Sequence, residues 1–233
     1  MMLFLRVQNS CDLSSCFLCR SCIPEWKELV ALKKNTRFFK RGKQLFAENE
    51  KVKGIFFIYS GAVKVHKQWS DQKELILRFA KSGDIAGHRG LGGDDTYPIA
   101  ATALEDTKAC FIANDFLDTT LKSNPALTYK LMQFYATELQ LAEKRMRNLA
   151  HMEVKGRISD AMIELANVFG LDKHQYISVP VTRQDIASYA GTTYETVFKF
   201  LTELGHSKII STEGKKIRIN QMEKLKQFII NQK

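Results

Sequence analysis

The hydrophobic pattern of this chain changes its period partway along, and this change constrains the fold more than any other feature. Between Gln44 and about Ile112, short apolar runs are separated by turn residues: 55–59 is a continuous apolar run, and 62–67 alternates. Many short strands at close spacing favour a barrel or roll. From Leu127 onward the apolar residues follow a helical period. We therefore predict an α+β chain, with an N-terminal β-roll, a long helix and a helical C-terminal domain.

The predicted long helix carries a narrow apolar seam. Its members recur at intervals of three and four residues, which is the spacing of the a and d positions of a coiled coil. They are Met132, Tyr135, Leu139, Ala142, Met146 and Leu149. A seam this narrow favours pairing with the same helix of a second copy, so these residues are the predicted homodimer interface. The alternative is an ordinary amphipathic helix that lies on the roll.

Residues 181–201 have the pattern of a helix-turn-helix. Thr182 with Asp185, and Thr192 with Glu195, are capping pairs that mark the starts of two helices. Gly191 lies between the two pairs and predicts the tight turn, and Gly205 predicts the end of the second helix. After it, residues 209–219 predict a two-stranded wing.

The second helix predicts a face that reads DNA. Its buried face would hold Val197, Phe200, Leu201 and Leu204, which leaves an aromatic pair, a carboxylate and an ammonium outside. Glu195 can accept from cytosine N4, Lys199 can donate to guanine, and Phe198 can pack on a thymine methyl group. The predicted DNA-binding residues, including two wing lysines for phosphate contacts, are Thr182, Arg183, Thr193, Tyr194, Glu195, Phe198, Lys199, Lys215 and Lys216.

Charge and composition agree with a nucleic-acid partner. The net charge of +10 favours binding to a polyanion. The sequence contains no paired carboxylates and no nucleophile–base set, so we predict no enzyme activity. No apolar run is long enough to cross a membrane, and the apolar start of the chain is too short for a signal-peptide core. We therefore expect a cytoplasmic protein with reduced thiols.

Four of the five cysteines lie close together: Cys11, Cys16, Cys19 and Cys22, with Cys110 far along the chain. In a reducing compartment such a group is typical of metal ligands rather than disulfides. The spacing of Cys16, Cys19 and Cys22 is the one that ferredoxin-type sequences use for an iron–sulfur cluster, and it leaves one ligand to be found. A structural zinc site on the four N-terminal cysteines and a metal-free segment remain alternatives.

A glycine-rich stretch, residues 83–93, interrupts the predicted strands. Such a loop can hold phosphate through its backbone N–H groups, but it matches neither the dinucleotide nor the P-loop fingerprint. A tight turn of the roll is the alternative. We expect His88 and Arg89 on the surface of this turn.

These segments together resemble the CRP/FNR family of bacterial transcription regulators. Residues 54–63 resemble the family's sensory roll, residues 75–87 its strand and turn that end in Gly-Asp-x-x-Gly, and residues 182–201 its DNA-reading element. The resemblance implies a roll of the cyclic-nucleotide-binding type, a dimerisation helix and a winged helix-turn-helix. It also implies a double-stranded DNA operator and RNA polymerase as partners. The domain limits that follow are 1–24, 25–126, 127–151 and 152–233.

The same resemblance indicates a branch. Members that bind cyclic AMP carry a Glu after the last Gly of Gly-Asp-x-x-Gly and an Arg-Ser or Arg-Thr pair further on. Here His88 and Tyr97-Pro98 stand at these places, which argues against cyclic AMP because its phosphate would lack an arginine partner. The Tyr97-Pro98 stretch resembles the oxygen-responsive FNR branch.

That branch implies a [4Fe–4S] cluster on three N-terminal cysteines and one cysteine of the roll. The matching positions are Cys16, Cys19, Cys22 and Cys110, which leaves Cys11 spare. The family's Glu-x-x-Ser-Arg on the recognition helix differs here, since Phe198 and Lys199 replace Ser and Arg. Loss of the planar arginine fork weakens bidentate reading of guanine, so the family's half-site is not assumed for this chain.

Overall fold

The computed structural model describes residues 16–70 and 73–230. The N-terminal part contains α1 (Phe17–Ser21), α2 (Pro24–Lys33), β1 (Asn35–Phe39), β2 (Gln44–Phe46), β3 (Gly54–Ser60), β4 (Ala62–Ser70), β5 (Lys73–Lys81), β6 (Ile85–Ala86), a 3-10 turn (His88–Leu91), β7 (Ala100–Ala103), β8 (Thr107–Ala113) and α3 (Asn114–Ser123). The long helix α4 (Pro125–His151) follows. The C-terminal part contains α5 (Val154–Phe169), α6 (Arg183–Ala190), α7 (Tyr194–His206), β9 (Ile210–Glu213), β10 (Lys216–Ile219) and α8 (Met222–Ile230).

The N-terminal strands form a roll of two antiparallel sheets. One sheet has the strand order β1-β8-β3-β6 and the other β2-β7-β4-β5. Phe56 and Ile58 of β3 share a buried apolar cluster with Val63 and Val65 of β4, so the roll's core lies between the two sheets. The roll, the long helix and the winged helix-turn-helix confirm the predicted α+β fold.

Strand β3 is apolar throughout because both of its faces are buried. Phe56 and Ile58 face the interior of the roll. Ile55 and Phe57 point to the opposite side, since successive side chains of a strand alternate, and they join a second apolar cluster with α1, α3 and the first part of α4. This second cluster places the N-terminal cysteines against the outside of the roll.

Helix α4 has one buried face and one exposed apolar face. Its first turns are buried against the roll through Leu127 and Leu131, whereas Met132, Leu139 and Met146 remain more than half exposed. The helix therefore docks on the roll with one face and presents an apolar face to solvent.

The C-terminal domain and the roll share a hydrophobic core. Ile158, Met162 and Leu165 of α5 form the centre of a buried cluster that also contains Ile76 and Phe79 of β5. The β4–β5 hairpin of the roll thus packs against the C-terminal domain.

Two predicted boundaries were wrong. The second helix of the helix-turn-helix begins after Thr193 rather than Thr192, because the Thr193 hydroxyl accepts from the backbone N–H of Thr196. It also continues through Gly205 to His206, and Lys208 adopts the positive φ, 56°, that follows the helix. No helix in the described part of the chain is long and apolar enough to span a membrane.

Candidate DNA-binding surface and cysteine cluster

The helix-turn-helix is defined by its caps and its turn. Thr182 and Asp185 form the predicted capping box: the Thr182 N–H donates to Asp185 Oδ2 at 2.9 Å, and the Asp185 N–H donates to Thr182 Oγ1 at 3.0 Å. Gly191 adopts φ +61° at the turn, and a Cβ there would lie 2.8 Å from Leu149 Cδ2. The turn therefore requires glycine both for its backbone conformation and for its close approach to the end of α4.

The recognition helix α7 has the predicted division into two faces. Val197, Phe200, Leu201 and Leu204 are all buried, as predicted. On the other face, Tyr194 and Phe198 are 43% and 48% exposed, and Glu195 and Lys199 are exposed beside them. This face combines apolar, anionic and cationic groups, which is the set needed to contact base edges in the major groove.

The aromatic pair on this face is held in place by its neighbours. The rings of Tyr194 and Phe198 stack with centroids 6.3 Å apart. The guanidinium of Arg183, on the preceding helix, lies 5.8 Å from the Phe198 ring. These contacts restrict the side chains that would otherwise move freely in solvent.

Glu195 is ionised at neutral pH and can act only as an acceptor. A hydrogen bond from its own backbone N–H, a hydrogen bond from the Thr193 hydroxyl and the charge of Lys199 lower the pKa of its carboxyl group. A carboxylate fixed in this way suits a donor such as the exocyclic amine of cytosine.

The wing lies beside the first helix of the motif. Strands β9 and β10 pair in antiparallel register, and the exposed Lys215 and Lys216 lie at and just after their turn. Lys215 also lines a surface groove with Thr182, Arg183 and Tyr194. The structure thus brings the predicted phosphate-binding lysine next to the predicted base-reading helix.

The predicted dimer seam is divided by the fold. Four of its members, Met132, Leu139, Ala142 and Met146, are exposed. Two are half-buried against their own chain, since the Tyr135 hydroxyl donates to the His88 carbonyl and Leu149 lies against the helix-turn-helix turn.

The four predicted cluster ligands lie in one place, although they come from distant parts of the sequence. Cys16, Cys19, Cys22 and Cys110 are all buried within the apolar cluster that contains Ile55, Phe57 and Leu127. We call these four residues the four-thiol cluster. Burial and the nearby Cys16 raise the pKa of the Cys22 thiol to about 11. Cys11, the predicted spare cysteine, lies outside the described residues.

The thiols are not grouped as ligands of a single ion. Within residues 16–70 and 73–230, no three Cys, His, Asp or Glu side chains come together in a group that could hold one metal ion. A four-coordinate zinc ion requires its sulfurs about 2.3 Å from one centre. In a [4Fe–4S] cluster, each thiolate binds a different iron and the ligands are correspondingly further apart.

The segment that carries Cys16, Cys19 and Cys22, called here the cysteine segment, is fixed to the helices beside the roll. The backbone N–H of Ile23 donates to Asn124 Oδ1, and Trp26 Nε1 donates to Thr120 Oγ1, both at 3.0 Å. The Trp26 ring also stacks on Phe116. Between the cysteines, Phe17 contacts Phe134 of α4 with ring centroids 5.8 Å apart. Movement of this segment would therefore act directly on α4.

His88 does not lie on a turn surface, as the sequence predicted, because it is 2% exposed. Its ring packs edge-on against Phe134 and Tyr135 of α4. Glu138 of the same helix forms ion pairs with Arg78 at 3.1 Å and with Arg89 at 3.4 Å. Burial and these two arginines lower the pKa of His88 to about 3, so it is neutral. The sequence around His88, a single histidine after a glycine, contains no pattern that indicates this burial.

Comparison with protein families agrees with both halves of the structure. The family model of the cyclic nucleotide-binding domain matches residues 36–124, and that of the Crp-like helix-turn-helix domain matches residues 156–228. Together with the exposed recognition helix, these matches define a DNA-binding transcription regulator and not an enzyme.

Curated relatives span nearly the whole chain. They include the anaerobic regulatory protein of Bacillus subtilis, 29% identical over 85% of both chains, and the transcriptional activator FnrA of Stutzerimonas stutzeri, 28% identical over 92% of this chain and 91% of the relative. The CRP-like cAMP-activated global transcriptional regulator of Mycobacterium tuberculosis is 28% identical over 80% of this chain and 84% of the relative. The chain belongs to the CRP/FNR family of transcription regulators.

A solved structure supports the fold. FixK2 from Bradyrhizobium japonicum superimposes with a TM-score of 0.74 at 24% identity, and the match covers 84% of this chain and 96% of that one.

Proposed function

We propose that this regulator binds its operator as a homodimer, and that its affinity for DNA responds to oxygen through a [4Fe–4S] cluster on Cys16, Cys19, Cys22 and Cys110. The observation that carries the proposal is the burial of all four thiols in one apolar cluster. Four cysteines are the ligand set of such a cluster, so the donors fit. When bound, the group supplies a centre that oxygen can oxidise and dismantle.

The residues around the thiols suit this role. Ile55, Leu127 and Leu131 are buried beside them, and their side chains limit the access of water to the site. An apolar shell also makes unpaired thiolates costly, which agrees with the raised pKa of Cys22. Without a cation, the Cys22 thiol therefore remains protonated at neutral pH.

The link from the cysteines to DNA passes through α4. Phe17 lies between Cys16 and Cys19 and contacts Phe134, one helical turn before Glu138. Exposed apolar residues on another face of α4 provide the surface for a second copy. Two recognition helices of such a dimer must enter successive major grooves about 34 Å apart. A shift of α4 changes their spacing and hence the affinity for a two-part operator.

The names of the relatives point to two kinds of signal. The Bacillus relative is an anaerobic regulatory protein, whereas the Mycobacterium relative is cAMP-activated. In this chain Arg78 and Arg89 share the single carboxylate of Glu138, which offsets one of their two charges, and Tyr97-Pro98 stands where a cyclic phosphate would need its arginine. We therefore expect cyclic AMP to leave the melting temperature unchanged. RNA polymerase, implied by the family, remains a predicted partner.

Metal analysis tests the proposal. We would purify the protein without air, measure iron, sulfide and zinc, and record the visible spectrum and operator affinity before and after exposure to air. Iron and sulfide near four per chain, with an air-bleached band and weaker binding to DNA, are the expected result. Stoichiometric zinc, or binding that air does not change, would contradict it.

Single substitutions test the ligand assignment. We expect Cys110→Ser to lose the cluster, because it removes the ligand from β8, and Cys11→Ser to retain it as the matched control. If Cys11→Ser loses the iron while Cys110→Ser keeps full occupancy, the assignment is wrong and an N-terminal site on Cys11, Cys16, Cys19 and Cys22 replaces it.

A second candidate is a regulator with a metal-free cysteine segment that responds to a small ligand. A cavity of about 290 Å³ supports it. The cavity lies between the roll, α4 and the C-terminal domain, and its lining includes Arg78, Arg89, Glu138, Arg145 and Tyr189. Protein that holds no iron after anaerobic purification, yet binds the operator with full affinity, would favour this candidate.

A further inference from the structure

A chain of polar side chains crosses from the roll into the helix-turn-helix. Thr102 Oγ1 lies 2.8 Å from His66 Nε2, and His66 Nδ1 lies 2.8 Å from Glu74 Oε2. Glu74 also pairs with Lys64, whose Nζ donates to Asp185 Oδ1 at 3.0 Å. Lys64 and Asp185 are 121 residues apart in the sequence. We call these five residues the interdomain polar chain.

The last member of the interdomain polar chain has two functions. Asp185 Oδ2 accepts from the backbone and hydroxyl of Thr182, which caps helix α6, at 2.9 and 2.6 Å. The other oxygen, Oδ1, receives the ammonium of Lys64 from the roll. One carboxylate thus joins the start of the helix-turn-helix to the sensory domain.

We propose that Lys64, held by Glu74, is a positioning residue for DNA binding, which fixes the orientation of the helix-turn-helix relative to the roll and α4. The proposal rests on the DNA-binding function of the family and on the proposed homodimer, and not on the nature of the metal centre.

The burial of these groups distinguishes them from ordinary surface pairs. The side chains of Lys64, Glu74 and Asp185 are 15%, 17% and 10% exposed. Exposed ion pairs contribute little because solvent screens them, whereas removal of one member of a buried set leaves the others desolvated and unpaired. Loss of the Lys64 ammonium would leave two carboxylates facing each other, which would push the domains apart.

Neighbouring contacts also hold the C-terminal domain against the roll and α4. Phe79 of β5 stacks on Tyr189 of α6 with centroids 5.0 Å apart. Arg145 of α4 donates to the Tyr189 carbonyl at 2.8 Å and covers its ring. Arg41 of the roll donates to the Pro180 carbonyl at 3.0 Å. These contacts hold the domain near the roll, and the polar chain fixes its rotation because its hydrogen bonds are directional.

Rotation of the C-terminal domain changes the affinity for an operator with two half-sites, but not the affinity for a single half-site. When a dimer has bound one half-site, its second recognition helix binds at an effective concentration set by how tightly its geometry is fixed. A less rigid contact between the roll and the C-terminal domain lowers this effective concentration. The base-reading face of α7 lies apart from Lys64, so the intrinsic affinity for one half-site is unchanged.

The experiment compares a full palindromic operator with a single half-site. The operator is selected from random double-stranded DNA with the full-length protein. Lys64→Met and Glu74→Gln are measured by fluorescence anisotropy on both DNAs. Lys67→Met is the matched control, since it removes an equal charge from the same strand, is 54% exposed and pairs with Glu48 of the roll.

We expect Lys64→Met to weaken full-operator binding by about tenfold and to leave half-site binding within about twofold of wild type. Glu74→Gln should act in the same direction, and Lys67→Met should match wild type on the full operator. Unchanged or tighter binding of the full operator by Lys64→Met would overturn the proposal, as would equal losses on both DNAs. If circular dichroism shows that Lys64→Met is unfolded, the isosteric Glu74→Gln tests the proposal instead, through the same comparison of full-operator with half-site affinity.

Discussion

At the scale of single side chains, Glu195 is the predicted base-reading residue that a substitution tests most directly. We predict that Glu195→Ala weakens binding to the selected operator by about 1–3 kcal/mol, because a carboxylate that accepts from a base amine is lost. Binding to random DNA should strengthen slightly, since a negative charge near the phosphates is removed. Anisotropy titrations on both DNAs measure the two effects.

The control for this prediction is Glu223→Ala, which removes an equal charge from an 82% exposed side chain on α8. It should leave the ratio of specific to random binding unchanged. If Glu195→Ala changes this ratio no more than the control does, Glu195 does not read a base.

Glu74 predicts a pH dependence of stability. Burial favours its neutral form, but hydrogen bonds from His66 and Lys64 and the charge of Lys64 prevail and lower its pKa from 4.5 to about 2. A carboxyl group with a lowered pKa stabilises the folded state above its unfolded pKa, and the contribution is lost as the pH falls from about 4.5 to about 2. Urea unfolding of wild type and Glu74→Gln should therefore show a constant difference near neutral pH that shrinks below about 4.5.

Glu223→Gln is the reference for this measurement, because it removes an exposed carboxylate. A difference between wild type and Glu74→Gln that stays constant down to about pH 3 would contradict the assigned pairing.

Single residues also show where sequence reasoning stops. The alternation of β4 identifies Val63 and Val65 as interior, and it leaves Lys64 and His66 on the outer face. It cannot show that this outer face is covered by Asp185 and the C-terminal domain, because that contact joins residues 121 positions apart. His88 was misplaced for the same reason, since helix α4 covers its loop.

At the scale of elements, α4 is the most testable. We predict that Leu139→Asp converts the proposed dimer to a monomer and abolishes tight operator binding, because it places a charge in the apolar seam. Leu139 is 61% exposed in one chain, so the substitution should not disturb the fold of the protomer. Light scattering after size-exclusion chromatography measures the mass.

Gln140→Asp serves as the matched substitution, since it introduces the same side chain at the next, exposed position outside the seam. Equal masses for the two variants would show that the seam is not the interface.

Elements with a clear hydrophobic pattern could be predicted from the sequence, but the residues at which they begin and end were harder to predict. The apolar run of β3 and the faces of α7 follow from side-chain spacing. The start of α7 did not, because Thr192 and Thr193 are both good caps and the choice depends on which hydroxyl reaches the Thr196 N–H. The grouping of Cys110 with the N-terminal cysteines could be predicted only from the family resemblance, because nothing in the local spacing links them.

At the scale of the whole molecule, Phe17 connects the cysteine segment to α4. We predict that Phe17→Ala retains the iron and sulfide of the proposed cluster but reduces the difference in operator affinity between oxygen-free and air-exposed protein several-fold, because its contact with Phe134 is lost. Iron analysis and anisotropy on the same samples measure the two quantities.

Phe38→Ala, which removes a ring that is 52% exposed on β1, should leave both quantities as in wild type. A full response to air in Phe17→Ala would show that the signal takes another route.

The two tryptophans lie in contrasting surroundings. Trp26 is half-buried, bonded to Thr120 and stacked on Phe116 beside the cysteine segment. Trp69 is 87% exposed on the β4–β5 hairpin. Iodide in solution will quench the emission of Trp69 far more than that of Trp26. The emission that resists iodide is therefore an intrinsic optical reporter of the segment at Trp26, and it can follow that segment in real time without an added label.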